Sequence, residues 1–153
     1  MKKPEVAVVM GSESDMPVME RAAKMLTRFG ISHKVYVMSA HRSPAKTRQF
    51  ARRARQQGLK VIIAGAGMAA HLPGVIASET IIPVVGVPLA RSALGGLDSL
   101  HSIVQMPTGV PVATMAIGEA GAANAAILAA EIIALSDPKV AAKLRAYKRS
   151  LAR

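Results

Sequence analysis

The chain repeats one local pattern: a short uninterrupted apolar run, then small or polar residues, then a stretch with helical periodicity. In the first cycle the apolar run 5–10 precedes Gly11, and a helical pattern extends through Phe29 and ends at Gly30. Apolar strands that alternate with helices are typical of a parallel sheet covered on both faces. We therefore expect an α/β fold. The predicted strands are 5–10, 34–38, 61–64, 82–87 and 112–117.

Each predicted strand leads into a predicted helix. The second helix opens at Pro44 and is closed by Gly58, and the third begins near Pro73. We expect a three-layer αβα sandwich with a five-stranded, parallel, doubly wound sheet in the flavodoxin-like order. Without a linker or a repeat, residues 1–153 form one predicted domain. The remaining predicted helices are 97–104, 119–135 and a basic C-terminal helix that Asp137-Pro138 opens.

Composition and charge exclude several classes of protein. Apolar residues make up 51% of the chain and charged residues 19%, which excludes a disordered chain and favours subunit association. The net charge of +11 should attract anions, such as a nucleic acid, an acidic membrane surface or a phosphorylated metabolite. We expect no nucleic-acid partner, because no DNA-binding motif occurs and aromatic residues are only 3%. No membrane contact is expected either, since the apolar runs fall short of the ~20 residues of a membrane span.

The number and spacing of cysteine, histidine and acidic residues exclude further kinds of chemistry. Cysteine is absent, which removes disulfides and thiolate catalysis and suits a cytoplasmic protein. The first apolar stretch after Met1-Lys2 is short, so we expect no signal peptide. Histidine and acidic residues lack metal-ligand spacing, so no metal site is predicted. His33 and His101 are expected at the surface or in packing.

The loops after the first three strands are the candidate ligand-binding segments, because open parallel sheets bind ligands beyond the carboxyl ends of their strands. In the first loop, 11–15, a glycine and a helix start favour a phosphate. The alternative is that Ser14 or Asp15 simply caps the helix. Neither a Walker sequence nor a dinucleotide fingerprint occurs, so ATP and NAD have little support.

The second and third loops carry the two histidines of interest. His41 can transfer a proton near neutral pH, and Arg42 can hold phosphate oxygens with parallel hydrogen bonds. The alternative for this pair is simple solvation. The small residues of 65–70, followed by His71, suggest a pocket for a small ligand, or only a tight turn in which glycines permit close packing.

Taken together, these motifs resemble one family, the catalytic subunit of phosphoribosylaminoimidazole carboxylase in its class I form, N5-carboxyaminoimidazole ribonucleotide mutase. The resemblance runs from Val6 to about Leu135, and the block Ala-Ala-His-Leu-Pro-Gly at 69–74 favours class I over class II. Met68 departs from the pattern, since the family commonly has a second glycine there. The matching blocks are 10–15, 39–42, 64–67, 69–74, 86–88, 97–100, 105–107 and 121–125.

The resemblance implies a purine-biosynthesis enzyme, an isomerase that moves a carboxylate from an exocyclic nitrogen of a ribonucleotide to ring carbon four, with no cofactor. His41 matches the family's general acid and base, and Asp15 matches the carboxylate that receives the ribose hydroxyls. Ser12, Ser39 and Arg42 match residues around the 5′-phosphate. The residues that match the pocket for the retained carbon dioxide are Gly67, Ala69, Ala70, His71 and Leu72.

The family is octameric, so the resemblance implies a homo-octamer in which the apolar helix 120–134 lies at a subunit centre and Met106 and Pro107 reach a neighbouring site. Any longer family tail is expected to be missing or shortened after Arg153. Two other functions stay open from the sequence. One is the class II carboxylase reaction with free carbon dioxide, and the other is a non-catalytic nucleotide or nucleic-acid binding module.

Overall fold

The three central strands form from continuous apolar runs and are buried on both faces. The computed structural model describes residues 3–152, so Met1, Lys2 and Arg153, on which the expectations about the two ends of the chain partly rest, lie outside the described residues. All five residues of the first strand are fully buried, as expected for a central strand of a covered parallel sheet. The strands within residues 3–152 are β1 Val6–Met10, β2 His33–Val37, β3 Val61–Gly67, β4 Val84–Leu89 and β5 Ala113–Thr114.

The strands form one parallel sheet in the order β2-β1-β3-β4-β5. The chain winds in opposite directions from β1, so the order reverses between β1 and β3 and leaves a crevice at their carboxyl ends. This is the predicted doubly wound, flavodoxin-like sheet. The helices are α1 Met16–Phe29, α2 Pro44–Arg53, α3 Leu72–Ala77, α4 Leu97–Val104, α5 Glu119–Ala134 and α6 Pro138–Leu151, with a 3₁₀ helix at Glu13–Asp15.

Two apolar clusters lie on opposite faces of the sheet, which confirms the three layers. On one face Val8 and Ile63 pack with residues of α1, α5 and α6, including Leu26 and Ile133. On the other face the cluster includes residues of α2, α3 and α4, such as Phe50, Ile76 and Ile103. Helix α5 is apolar around most of its circumference and packs its alanines against the first cluster.

Three predicted boundaries differ from the structure by three or more residues, and β4, predicted at 82–87, lies two residues later. Helix α2 ends at Arg53, and turns fill the interval to Gly58. Strand β5, predicted at 112–117, covers only two residues at the sheet edge, where it pairs with β4. Strand β3 continues through the predicted loop residues 65–67. It can do so because Gly65 leaves room for the Met19 side chain, with which a Cβ at that position would collide.

Candidate active site

The loops after β1, β2 and β3 enclose a cavity of about 510 Å³ at the carboxyl edge of the sheet. The crevice lies at the reversal of strand order, where the fold favours ligand binding. All the predicted site residues except Ala70 line it, and Met68 and Arg91 lie on its wall as well. The predicted residues that it brings together are Ser12, Asp15, Ser39, His41, Arg42, Gly67, Ala69, His71 and Leu72.

Ala70 lies behind the cavity wall. Its exposed fraction is 1%, and it belongs to the apolar cluster that includes Leu72 and Ile76. Ala70 therefore supports the wall from the core instead of facing a ligand.

The first loop is held by a capping box. Ser12 Oγ accepts a hydrogen bond from the Ser14 amide at 3.3 Å, and the Ser12 amide donates to Asp15 Oδ2 at 3.2 Å. Asp15 makes no side-chain cap on α1. The capping alternative is thus partly correct, with Ser12 as the cap and Asp15 as its reciprocal partner. The Ser12 amide binds only Oδ2 of that carboxylate.

Asp15 is a buried carboxyl beside two arginines. Burial raises its pKa above the ordinary value of 3.8, while Arg91, the Ser12 amide and Arg42 oppose that rise. Its exposed fraction is only 6%, and Oδ1 lies 3.5 Å from Arg91 Nε. The site therefore holds a carboxylate in surroundings that disfavour its charge, which is a common property of functional groups.

The second loop holds Arg42 over the end of β1. Its backbone amide and Nε donate to Ser39 Oγ at 3.1 and 3.4 Å, and Nη2 donates to the Gly11 carbonyl oxygen at 3.1 Å. These bonds orient the guanidinium of Arg42, whose side chain is exposed to the cavity. With Ser12 and Ser39 it forms a cationic, hydroxyl-rich end suited to a phosphate.

His41 and His71 meet across the cavity. Nε2 of His41 lies 2.7 Å from Nδ1 of His71, and the two rings pack edge to face with their centroids 4.8 Å apart. A hydrogen bond of this length needs a proton on one nitrogen and a lone pair on the other, so each ring determines the tautomer of its neighbour. The pair can hold a proton at a defined position in the cavity.

The third segment turns sharply after β3. Met68 has φ of 56°, in the left-handed region that favours glycine, and its side chain is 57% exposed. A glycine at this position, as the family pattern has it, would adopt the turn without strain. The side chain of Met68 is mostly in solvent, at the wall of the cavity.

Sequence reasoning missed Arg91, which follows β4. We considered only the loops after the first three strands, yet β4 pairs directly with β3, and a cation just beyond its carboxyl end was a usable signal. His33 lies at the start of β2, and His101 is exposed on α4, so both are outside the cavity as expected.

Within residues 3–152 the structure offers neither a metal site nor a membrane span. The histidine and acidic side chains there include no group of three that could hold a metal ion. None of the helices in the same range combines the length and apolarity of a membrane span.

Chemically, the cavity has distinct ends. Arg42 and two serines can bind an anion, Asp15 can accept hydroxyl hydrogen bonds, and the His41–His71 pair can donate and remove a proton beside a wall of small residues. The arrangement suits a phosphorylated ligand with hydroxyls and a reacting nitrogen or carbon.

Comparison with known proteins identifies relatives over nearly the whole chain. The family model described as AIR carboxylase matches residues 5–153. The chain is 52% identical over 152 residues to the N5-carboxyaminoimidazole ribonucleotide mutase of Pyrococcus horikoshii, which covers 99% of this chain and 85% of that protein. It is 56% identical over 144 residues to the protein of the same name from Vibrio vulnificus, covering 94% of this chain and 89% of that one.

A solved structure has the same fold. The crystal structure of Treponema denticola PurE superposes with a TM-score of 0.87 at 28% identity, covering 97% of this chain and 92% of that chain. The strand order and the two helical layers are therefore shared with a solved relative over nearly all of the chain.

Proposed function

This chain belongs to the AIR carboxylase family, and from that premise we propose that it is an N5-carboxyaminoimidazole ribonucleotide mutase of purine biosynthesis. The named relatives are mutases, and more than half of their aligned residues are identical to those of this chain. The observation that carries the proposal is the 2.7 Å hydrogen bond between His41 and His71 in the wall of the cavity. The reaction requires one group that can give a proton to a nitrogen and later take one from a carbon.

His41 is the proposed proton carrier. In the first step it protonates the exocyclic nitrogen, the nitrogen–carboxyl bond breaks, and carbon dioxide and an aminoimidazole remain in the cavity. Ring carbon four then attacks carbon dioxide, and the neutral imidazole removes the proton left on that carbon. His41 gives one proton in the first step and takes one in the second, so the reaction uses no net acid or base. It also needs no ATP.

His71 holds the His41 ring in place. Its Nδ1 lies 2.7 Å from His41 Nε2, so the tautomer of His41 is coupled to that of His71 in the free protein. When the substrate binds, its exocyclic nitrogen would replace His71 as the hydrogen-bond partner of His41. Until then the contact with His71 keeps the His41 ring in a defined position.

The substrate's phosphoribosyl group occupies the other end in this proposal. Ser12, Ser39 and Arg42 bind the 5′-phosphate, and Asp15 accepts hydrogen bonds from ribose hydroxyls. Support comes from the hydrogen bonds that already orient Arg42 and from the position of the Asp15 carboxylate in the wall of the same cavity. A charged phosphate matches the excess of basic residues in the chain.

Carbon dioxide is retained by small residues at the end of β3. Gly67, Ala69 and Leu72 line this part of the cavity, with Ala70 buried behind them. Apolar walls without hydrogen-bonding side chains let the gas lie close to the ring and exclude the water that competes for it.

We propose a cytoplasmic homo-octamer as the working state. Leu135 at the end of α5 is 89% exposed, and Leu94, Leu97 and Val104 are also exposed large apolar residues, which is unusual for a monomer of this size. Met106 and Pro107, after α4, would then reach the cavity of a neighbouring subunit. Sedimentation of a 16.0 kDa species at working concentration would contradict this part of the proposal.

The direct test offers the purified protein N5-carboxyaminoimidazole ribonucleotide without ATP or bicarbonate and follows the ring-carboxylated product. Formation of that product supports the mutase. Labelled bicarbonate is then added to distinguish the mutase from the class II reaction. Incorporation of label into the product at the rate of turnover would favour a carboxylase that uses free carbon dioxide. Binding without any conversion would favour a non-catalytic nucleotide-binding module.

A further inference from the structure

Hydrogen bonds anchor the loop after β4 and so hold the backbone of Arg91 in a defined position. Ser99 Oγ lies 2.9 Å from the carbonyl oxygens of both Leu89 and Gly96, at the two ends of the loop. Ser92 Oγ donates to Asp98 Oδ2 at 2.7 Å. Ser99 is fully buried, so these bonds are shielded from water.

From this loop the Arg91 side chain crosses the end of β3. A Cβ on Gly67 would lie 2.5 Å from Arg91 Cγ and 2.7 Å from Arg91 Cβ, so the aliphatic stem rests directly on the glycine. A side chain at residue 67 could not coexist with this path. Gly67 thus opens the route by which a residue after β4 reaches the loop after β1, two strands away.

The route ends at Asp15. Arg91 Nε lies 3.5 Å from Asp15 Oδ1, while Asp15 Oδ2 is occupied by the Ser12 amide. The Asp15 side chain is 8% exposed and that of Arg91 is 44% exposed, and both residues line the cavity. Because the Asp15 side chain is largely buried, solvent and salt screen this ion pair less than they screen a pair in which both side chains are exposed.

We propose that Arg91 is a positioning residue for ribose recognition: it crosses Gly67 to hold the Asp15 carboxylate, charged and correctly turned, toward the ribose hydroxyls. The inference rests on the proposed function for the assignment of the ribose to Asp15. The other charged or titratable side chains that line the cavity are His41, His71 and Arg42, and Glu13 lies beside its mouth. Of these, Arg42 is hydrogen-bonded to Ser39 and Gly11, whereas the Arg91 guanidinium contacts Asp15 Oδ1, the carboxylate oxygen that the Ser12 amide does not bind.

The test uses two probes that separate phosphate binding from ribose binding. Affinities of ribose 5-phosphate and of inorganic phosphate are measured by calorimetry for the wild type, Arg91→Ala and Arg91→Lys. Arg91→Ala should weaken ribose 5-phosphate roughly tenfold or more, the range for a lost charge-assisted contact, and leave inorganic phosphate unchanged. Arg91→Lys should recover part of the loss, since it keeps the charge without the planar fork.

A matched control and a second variant keep the result interpretable. Arg21→Ala removes an exposed arginine whose Nε is 2.9 Å from Glu119 Oε2, outside the cavity, and should change neither affinity. Gly67→Ala retains the guanidinium but blocks its route, so it should reproduce the ribose 5-phosphate loss. Equal loss of both probes in Arg91→Ala would make Arg91 a direct phosphate ligand, and no loss of either would remove its role. Both outcomes overturn the inference.

A titration decides the contact itself without any turnover. The chain has three aspartates, so carboxyl-labelled aspartate gives three carbon resonances, and Asp15→Asn assigns the one of interest. Loss of Arg91 should move the Asp15 titration to higher pH, and an unchanged titration overturns the inference. In the mutase assay Arg91→Ala should raise KM more than it lowers kcat. Wild-type protein that does not convert the substrate would instead refute the proposed function, while the titration still reports on Arg91.

Discussion

His41 and His71, which lie 30 residues apart in the sequence, share a 2.7 Å hydrogen bond between Nε2 of His41 and Nδ1 of His71. The loops after β2 and β3 bring them together, although these strands are not neighbours, because β1 lies between them. The contact makes the proton position on one ring depend on the other. Both side chains are exposed to the cavity, so a substrate can reach the pair directly.

Replacing His41 by asparagine should remove proton transfer and keep the fold. We expect kcat to fall by ~10²-fold or more, as for the loss of a general acid and base, with little change in thermal unfolding because the side chain is exposed. His101→Asn is the matched control, since His101 is exposed on α4 and outside the cavity. Near-normal turnover in His41→Asn would require another proton carrier.

Replacing His71 by asparagine should lower kcat less than loss of His41 does, because His71 acts on the orientation of the His41 ring. The double variant His41→Asn/His71→Asn should be only slightly slower than His41→Asn alone, since groups that act as a unit are not additive. Steady-state kinetics of the four proteins measure this coupling. Additive losses in the double variant would show that the two rings act independently.

Met68→Gly should leave the mutase reaction measurable and make the protein slightly more stable. Relief of the left-handed strain, about 1–2 kcal/mol for an L-residue, outweighs the ~0.5–1 kcal/mol cost of glycine's backbone freedom. Little apolar burial is lost, because the Met68 side chain is 57% exposed. Thermal unfolding and turnover are the measurements.

Met68→Ala separates backbone strain from side-chain bulk. It keeps the Cβ at φ of 56°, so it should gain none of the stability expected for glycine. Complete loss of turnover in Met68→Gly would mean that the methionine side chain itself contributes to the reaction, contrary to our expectation.

The sequence predicted the fold well because its signals are local. Helix α4 was predicted with both ends correct, and α5 within one residue, because glycines and acidic residues mark their starts. Strand β3 was predicted three residues short, because glycine usually terminates strands. The reason for its continuation, the Met19 side chain packed over Gly65, is a tertiary contact that local patterns do not contain.

The same limit applies to the candidate site. Its loops could be predicted from the strand order, and the residues in them lie around one cavity. Ala70 could not be distinguished from Ala69 by composition, since only the turn after β3 decides which methyl group faces the core. Arg91 follows β4, two strands from the loop that holds Asp15, and it was missed because its contact with Asp15 depends on the absence of a side chain at Gly67 on the strand between them.

Asp15→Asn should increase stability at neutral pH while weakening substrate binding. The pKa of Asp15 in the folded chain lies above 3.8 because of burial, so folding favours its protonated form. Its contribution to stability is therefore largest below 3.8 and is lost as pH rises through the folded pKa. Asparagine resembles the neutral carboxyl. The Asp15→Asn protein should therefore unfold at about the same urea concentration as the wild type near pH 3.5. At pH 7 it should unfold at a higher urea concentration than the wild type.

Asp137→Asn gives the opposite expectation and serves as the control. Asp137 caps α6, where its carboxylate accepts from the amides of Lys139 and Val140, and a negative charge at a helix start is favourable by about 0.3–1 kcal/mol. Its replacement should therefore lower stability at pH 7. If Asp15→Asn were also less stable at pH 7, the attraction of Arg91 would exceed the cost of burying the carboxylate. A gain in stability together with a raised KM would show that Asp15 is retained for binding at the expense of folding.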